Sequence, residues 1–102
     1  MTELLSKLFS ILKDSKRTIS TAESCTGGLI AKSITDVSGA SEVFFGGVVS
    51  YDNSVKQALL GVKKETLEAY GAVSYQVAEQ MAIGVCSACG TSIGISTTGV
   101  AG

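Results

Sequence analysis

The chain has 102 residues, 45% of them apolar, a net charge of −1 and a sequence pI of about 5.3. That length allows one domain over residues 1–102 with a single core. The 8 Lys and Arg residues are scattered, so no basic stripe marks a nucleic-acid or anionic-membrane partner. Histidine is absent, which excludes a Ser-His-Asp triad, a Cys-His dyad and any His-bearing metal site built from this chain alone. The opening segment is too short and too polar for a signal peptide, and no run reaches the roughly 18 apolar residues of a membrane span. The cytoplasm is the expected location.

Leu4, Leu5, Leu8, Phe9, Ile11 and Leu12 recur at helical spacing and predict a first helix over about residues 3–14. Thr18 to Ala22 reads as a short strand, and Leu29, Ile30, Ser33, Ile34 and Val37 mark one face of a second helix with Gly27 and Gly28 at its start. Val43 to Tyr51 is an apolar, β-branched strand that its Gly46-Gly47 pair opens to a kink or a close approach. Asp52, Asn53 or Ser54 can cap a short helix that Gly61 stops, and another short helix follows over about Lys64 to Tyr70. Ser74 caps the longest helix, whose apolar stripe runs from Val77 to Cys89 and which Gly90 ends; Thr91 to Thr98 is the last strand. Strands alternating with helices predict an α/β layered domain.

Three segments could carry chemistry. Thr21-Ala22-Glu23-Ser24-Cys25-Thr26-Gly27-Gly28 runs from a strand end into a helix start. Unpaired N–H groups there favour an anion or oxyanion, and three nucleophile or donor side chains are at hand. The alternative is a plain cap made by Ser and Thr, with Glu23 in water. In Ser50-Tyr51-Asp52-Asn53-Ser54-Val55-Lys56, the lysine sits near a helix start, where the dipole disfavours a cation. Among apolar neighbours its pKa would fall and it would serve as a base; the pattern alone favours an exposed ammonium. Thr98 and Gly99, in the Ser96–Gly102 segment, could hold a phosphate or carbonyl oxygen, or simply form a turn. Cys86 and Cys89 form a C-x-x-C, but both fall on the apolar stripe and no second pair exists, so they read as core.

In order and spacing, Ala22–Gly28, Thr35–Ser41, Phe45–Tyr51 with Lys56, Leu59–Val62, Gly71–Ser74 and Thr98–Gly102 resemble the CinA C-terminal family of nicotinamide-mononucleotide deamidases. The resemblance covers nearly the whole chain from Thr18 onward. It implies a layered α/β/α fold and hydrolysis of the carboxamide of nicotinamide mononucleotide to nicotinate mononucleotide and ammonia. It implies no metal and no cofactor. Ser24 matches the family's nucleophile and Lys56 its base, and Tyr51 lies at the same strand end; Cys25 is the rival nucleophile. Cys25, Thr26, Gly27, Gly28, Thr98 and Gly99 match the loops around the substrate. Amide hydrolysis needs an activated nucleophile, and without histidine a neutral lysine is the candidate activator.

The family's domain continues past Thr98–Gly102 with a Gly-Pro-rich turn, further strands, a closing helix and a basic residue for the phosphate. Truncation and an incomplete sheet are therefore expected, with either poor stability or rescue by self-association into a homo-oligomer. The start at Met1 fits a form without the N-terminal molybdopterin-type domain that the family often carries. The competing expectations are an inactive remnant that binds a nucleotide phosphate, and an interaction module with an open sheet edge.

Overall fold

The computed structural model describes residues 2–100. Helix α1 spans Thr2–Asp14 and leads into strand β1, Ile19–Glu23. Helix α2, Leu29–Thr35, and a 3-10 turn over Ala40–Glu42 precede strand β2, Phe44–Val49. Helices α3 (Asn53–Leu60), α4 (Lys64–Tyr70) and α5 (Tyr75–Cys89) then return the chain to strand β3, Ile93–Thr97. The three strands are parallel and ordered β2-β1-β3.

Two apolar clusters enclose this sheet. Phe9, Leu12, Ile19, Ile34, Val37, Ala40 and Val43 form one, with α1 and α2 on its side. Ala22, Leu60, Val62, Val77, Met81 and Val85 form the other, with α3 and α5. Ile19 belongs to the first cluster and Ala22 to the second, as the alternation of side chains along a strand requires. Central strand β1 is buried along its whole length, which is the usual fate of a parallel strand covered on both faces. The result is the layered α/β/α domain expected from the sequence.

Chain order and strand order together place the site. From β1 the chain crosses to β2 by way of α2, and from β2 it crosses past β1 to β3 by way of α3, α4 and α5. The direction of progression thus reverses between β1 and β3, and in α/β sheets a crevice opens beyond the carboxyl ends at that point.

Element boundaries differ from the sequence reading by one or two residues, and one of these shifts matters: β1 runs through Glu23. Leu29 was expected on the core face of α2, but it is 62% exposed, because α2 turns only Ile34 fully inward. Likewise only Phe9 and Leu12 of the six apolar positions on α1 are buried. Asp52 is the N-cap of α3, accepting from the Ser54 N–H, and Ser74 caps α5 by accepting from Val77. Cys86 and Cys89 are half-buried on α5, and Cys89 packs against the second cluster.

Helix α5 approaches its neighbours through glycine. A Cβ at Gly84 would lie 1.8 Å from the Leu60 carbonyl oxygen, and one at Gly94 would lie 2.2 Å from the Ala82 carbonyl oxygen. Both obstacles are backbone atoms and cannot rotate away. Gly84→Ala should therefore push α3 and α5 apart and lower stability by about 1–3 kcal/mol or more, read as a shift of the urea midpoint. An unchanged midpoint would mean that the two helices do not pack this closely.

Candidate active site

All three strands end at one level. Glu23 is in register with Val49 on one side and Thr97 on the other. The residues that follow, Ser24, Ser50 and Thr98, therefore emerge together at the carboxyl edge of the sheet. A cleft of about 290 Å³ opens there, lined by Ser24, Cys25, Tyr51, Asn53, Lys56, Ala72, Thr98, Gly99 and Val100. Six of the nine residues expected from the sequence to form a site meet in it, Ser24, Cys25, Tyr51, Lys56, Thr98 and Gly99; Thr26, Gly27 and Gly28 do not line it.

Lys56 corrects the preference for an exposed ammonium. It is 1% exposed, the largest fully buried side chain among the described residues. Its Nζ donates to the Ser50 carbonyl at 2.8 Å and to the Tyr51 carbonyl at 3.1 Å. Burial holds its pKa below the ordinary 10.5, and the Asp52 carboxylate only partly opposes this. From the first turn of α3 the side chain reaches back to the end of β2, where the Ser50 and Tyr51 carbonyls hold its head.

Glu23 rules out the alternative that left its carboxylate in water. It is 1% exposed, and among the described residues no cation forms an ion pair with it. Instead Oε1 accepts from Thr26 Oγ1 at 2.6 Å and from the Ile30 N–H at 2.8 Å, and Oε2 accepts from the Ala31 N–H at 3.0 Å. Burial alone would raise its pKa, but the Thr26 hydroxyl and the Ala31 and Ile30 amides outweigh it and hold the pKa below the usual carboxylate value. These bonds also change the reading of the helix start. Helix α2 begins only at Leu29, its N-cap Gly28 offers no side-chain acceptor, and Glu23 takes two of its free amides. The anion that the first turn of α2 attracts is the chain's own.

Ser24 is 7% exposed and lines the cleft. Among the described residues its hydroxyl is not one of the hydrogen-bond partners of Lys56, whose two bonds go to carbonyls. Cys25 is half-buried beside it, and a Cβ at Gly99 would come within 3.3 Å of its sulfur, so the loop after β3 packs closely on the thiol. Thr26 spends its single proton on Glu23, so Thr97 is the donor in their 3.0 Å contact. Thr98 Oγ1 donates to the Ala72 carbonyl at 2.8 Å, which fixes the loop after β3 against the segment before α5. Gly27 and Gly28 take left-handed conformations, φ 63° and 105°, and close the turn between β1 and α2. Tyr51 is 78% exposed at the cleft mouth, with its ring free to meet a ligand.

Sequence reasoning missed three contributors. Ser50 is fully buried; its N–H and hydroxyl both donate to the Glu23 carbonyl, at 2.7 and 3.3 Å, and its own carbonyl holds Lys56. Asn53 lies between Tyr51 and Lys56 on the cleft wall. Glu23 itself was in view, but a carboxylate that caps a helix from seven residues upstream matches no local capping pattern.

Fold and site together define a layered α/β domain with a serine- and lysine-lined cleft at the carboxyl edge of its sheet. The CinA C-terminal domain model matches residues 1–102, and the chain belongs to that family. A CinA-like protein from Leptospira borgpetersenii is 54% identical over 100 residues, which is 98% of this chain and 24% of the relative. A CinA-like protein from Nostoc punctiforme is 56% identical over 99 residues, again covering 24% of its own length. The chain thus spans about a quarter of the length of these curated relatives. Among solved structures, the competence/damage inducible protein CihA from Agrobacterium tumefaciens superposes with a TM-score of 0.93 at 42% identity, covering 99% of this chain and 61% of that one. A CinA superfamily protein from Enterobacter cloacae gives 0.95 at 35% identity, with 99% and 60% covered.

The buried lysine makes stability depend on pH with a definite sign. Its folded pKa is depressed, so its contribution is present above the unfolded value of 10.5 and is lost as pH falls through the folded value. Between those two values the unfolded chain binds the extra proton. The stability of the wild type relative to Lys56→Met should therefore rise as the pH is raised toward the unfolded value of 10.5, measured as paired urea unfolding curves. A constant difference would show that Lys56 keeps a solvated ammonium.

Proposed function

We propose that the cleft hydrolyses the carboxamide of nicotinamide mononucleotide to nicotinate mononucleotide and ammonia, with Ser24 as nucleophile and Lys56 as general base. The observation that carries this reading is the pairing of Lys56 with two backbone carbonyls inside a buried pocket. A neutral amine has two N–H donors and one lone pair. Two carbonyl acceptors match it, whereas an ammonium would have a third proton to place. Burial adds to the same preference.

The steps follow from these groups. Substrate entry brings the Ser24 hydroxyl and the lysine amine into contact, since catalytic hydrogen bonds commonly tighten only in the complex. Lys56 takes the hydroxyl proton as Ser24 Oγ bonds to the carboxamide carbon. The resulting ammonium then gives that proton to the leaving nitrogen as the C–N bond breaks, which releases ammonia and leaves a nicotinoyl ester on Ser24. Water, deprotonated by the neutral Lys56, attacks the ester carbon, and the proton returns to Ser24 as the acid leaves. The oxyanion needs N–H donors. With the Ile30 and Ala31 amides engaged by Glu23, the backbone at Cys25 and the loop at Thr98 and Gly99 are the nearest sources on the cleft wall. Tyr51, exposed at the mouth, offers its ring face to the pyridine.

Ammonia release from nicotinamide mononucleotide tests the reading. It should fall by about a thousandfold in both Ser24→Ala and Lys56→Ala. Release that survives Ser24→Ala but is lost in Cys25→Ala would assign the attack to the thiol. A folded wild type that binds the nucleotide and releases no ammonia would leave a binding module in place of an enzyme.

A further inference from the structure

The turn between β1 and α2 is tied at more points than a cap requires. Its first residue, Glu23, is fixed in the sheet by its backbone, while its side chain reaches across the turn to the Ile30 and Ala31 amides. The middle of the turn is held from inside, because Thr26 donates to the same carboxylate oxygen that accepts from Ile30. Thr97 then donates to Thr26 and joins this ring to the end of β3, one residue before the Thr98-Gly99 loop. Gly28, the N-cap of this seven-residue helix, has a left-handed backbone (φ 105°) that suits glycine and brings no side-chain acceptor, so the acceptor comes from beneath the turn. Ser24 and Cys25 lie within the ring. Neither can shift relative to the opposite wall of the cleft without breaking a bond to a buried carboxylate, and charge-assisted bonds of this kind are the stronger ones.

We infer that Glu23 is a positioning residue for the reaction proposed above: its carboxylate sets the place of the Ser24-Cys25 turn against the Thr98-Gly99 loop. The inference rests on that reading for its effect on turnover. Its effect on geometry can be read without turnover, because Cys25 sits in the turn and reports its position directly. Cys86 and Cys89, both half-buried on α5, serve as controls for the rest of the fold.

The test is Glu23→Gln, which keeps the size of the side chain but replaces one acceptor oxygen by a donor facing a donor. Iodoacetamide labelling is followed at each cysteine by peptide mass spectrometry, and kcat and KM are measured for ammonia release. Cys25 should be alkylated about tenfold faster while Cys86 and Cys89 keep their rates, as local opening without global loosening requires. The kcat should fall about 100-fold with KM nearly unchanged, the pattern of a misplaced nucleophile. An unchanged Cys25 rate overturns the inference. So does a parallel rise at all three cysteines, or a loss carried by KM alone. If Glu23→Gln does not fold, Thr26→Val decides, since it removes the central tie and leaves the carboxylate in place; it should give the same selective rise at Cys25. If the wild type releases no ammonia, the proposed function fails, and the Cys25 rates alone decide whether Glu23 holds the turn.

Discussion

A buried carboxylate held by hydroxyl and amide donors organises this site. An isolated charge in a protein interior is costly, and Glu23 is tolerated because hydroxyl and amide donors surround it. The same residue works in two directions. Its side chain holds the turn that carries Ser24, and its carbonyl accepts both donors of Ser50, whose carbonyl in turn holds Lys56. The two residues proposed to react are thus anchored to opposite ends of a single residue in the central strand.

The sheet explains why that residue can serve. Three parallel strands end in register, so the residues after each of them share one edge, and the crossing order opens a crevice between β1 and β3. Central strand β1 brings the nucleophile turn, β2 brings the carbonyls that hold the lysine, and β3 brings the facing loop. The close approaches at Gly84 and Gly94 set α5 low against α3 and β3, and Thr98 is fastened to the segment just before α5. Packing on the side of the sheet away from α2 therefore fixes one wall of the cleft.

Burial of Lys56 is the second cost that the fold carries. Desolvation disfavours its charged form, and the two carbonyls it meets satisfy the neutral amine. A group that spends stability in this way is common at reactive positions, because chemistry needs a base near its working pH. Burial alternates along β2, and Phe45 and Val49 leave apolar surface exposed.

The sequence by itself determined the order and type of the α-helices and strands, but not the 3-10 turn over Ala40–Glu42. Helical and strand periodicities are local, and the caps at Asp52 and Ser74 and the stops at Gly61 and Gly90 act within one turn of their residues. It also brought Ser24, Tyr51, Thr98 and Gly99 under notice, because each lies just beyond a strand, together with Glu23 at a strand end and Lys56 near the start of the helix that follows one. Tertiary structure alone decided the states of the two charged residues among them. Lys56 is buried because carbonyls at the end of β2 and the packing of α3 enclose it, and its pattern on the helix is that of any exposed lysine. Glu23 is buried because its acceptors' donors come from Thr26, Ile30 and Ala31 after the chain has turned, and because Thr97, 71 residues from Thr26, completes the ring. Solvation of a charge depends on what surrounds it in three dimensions, and no spacing along the chain encodes that.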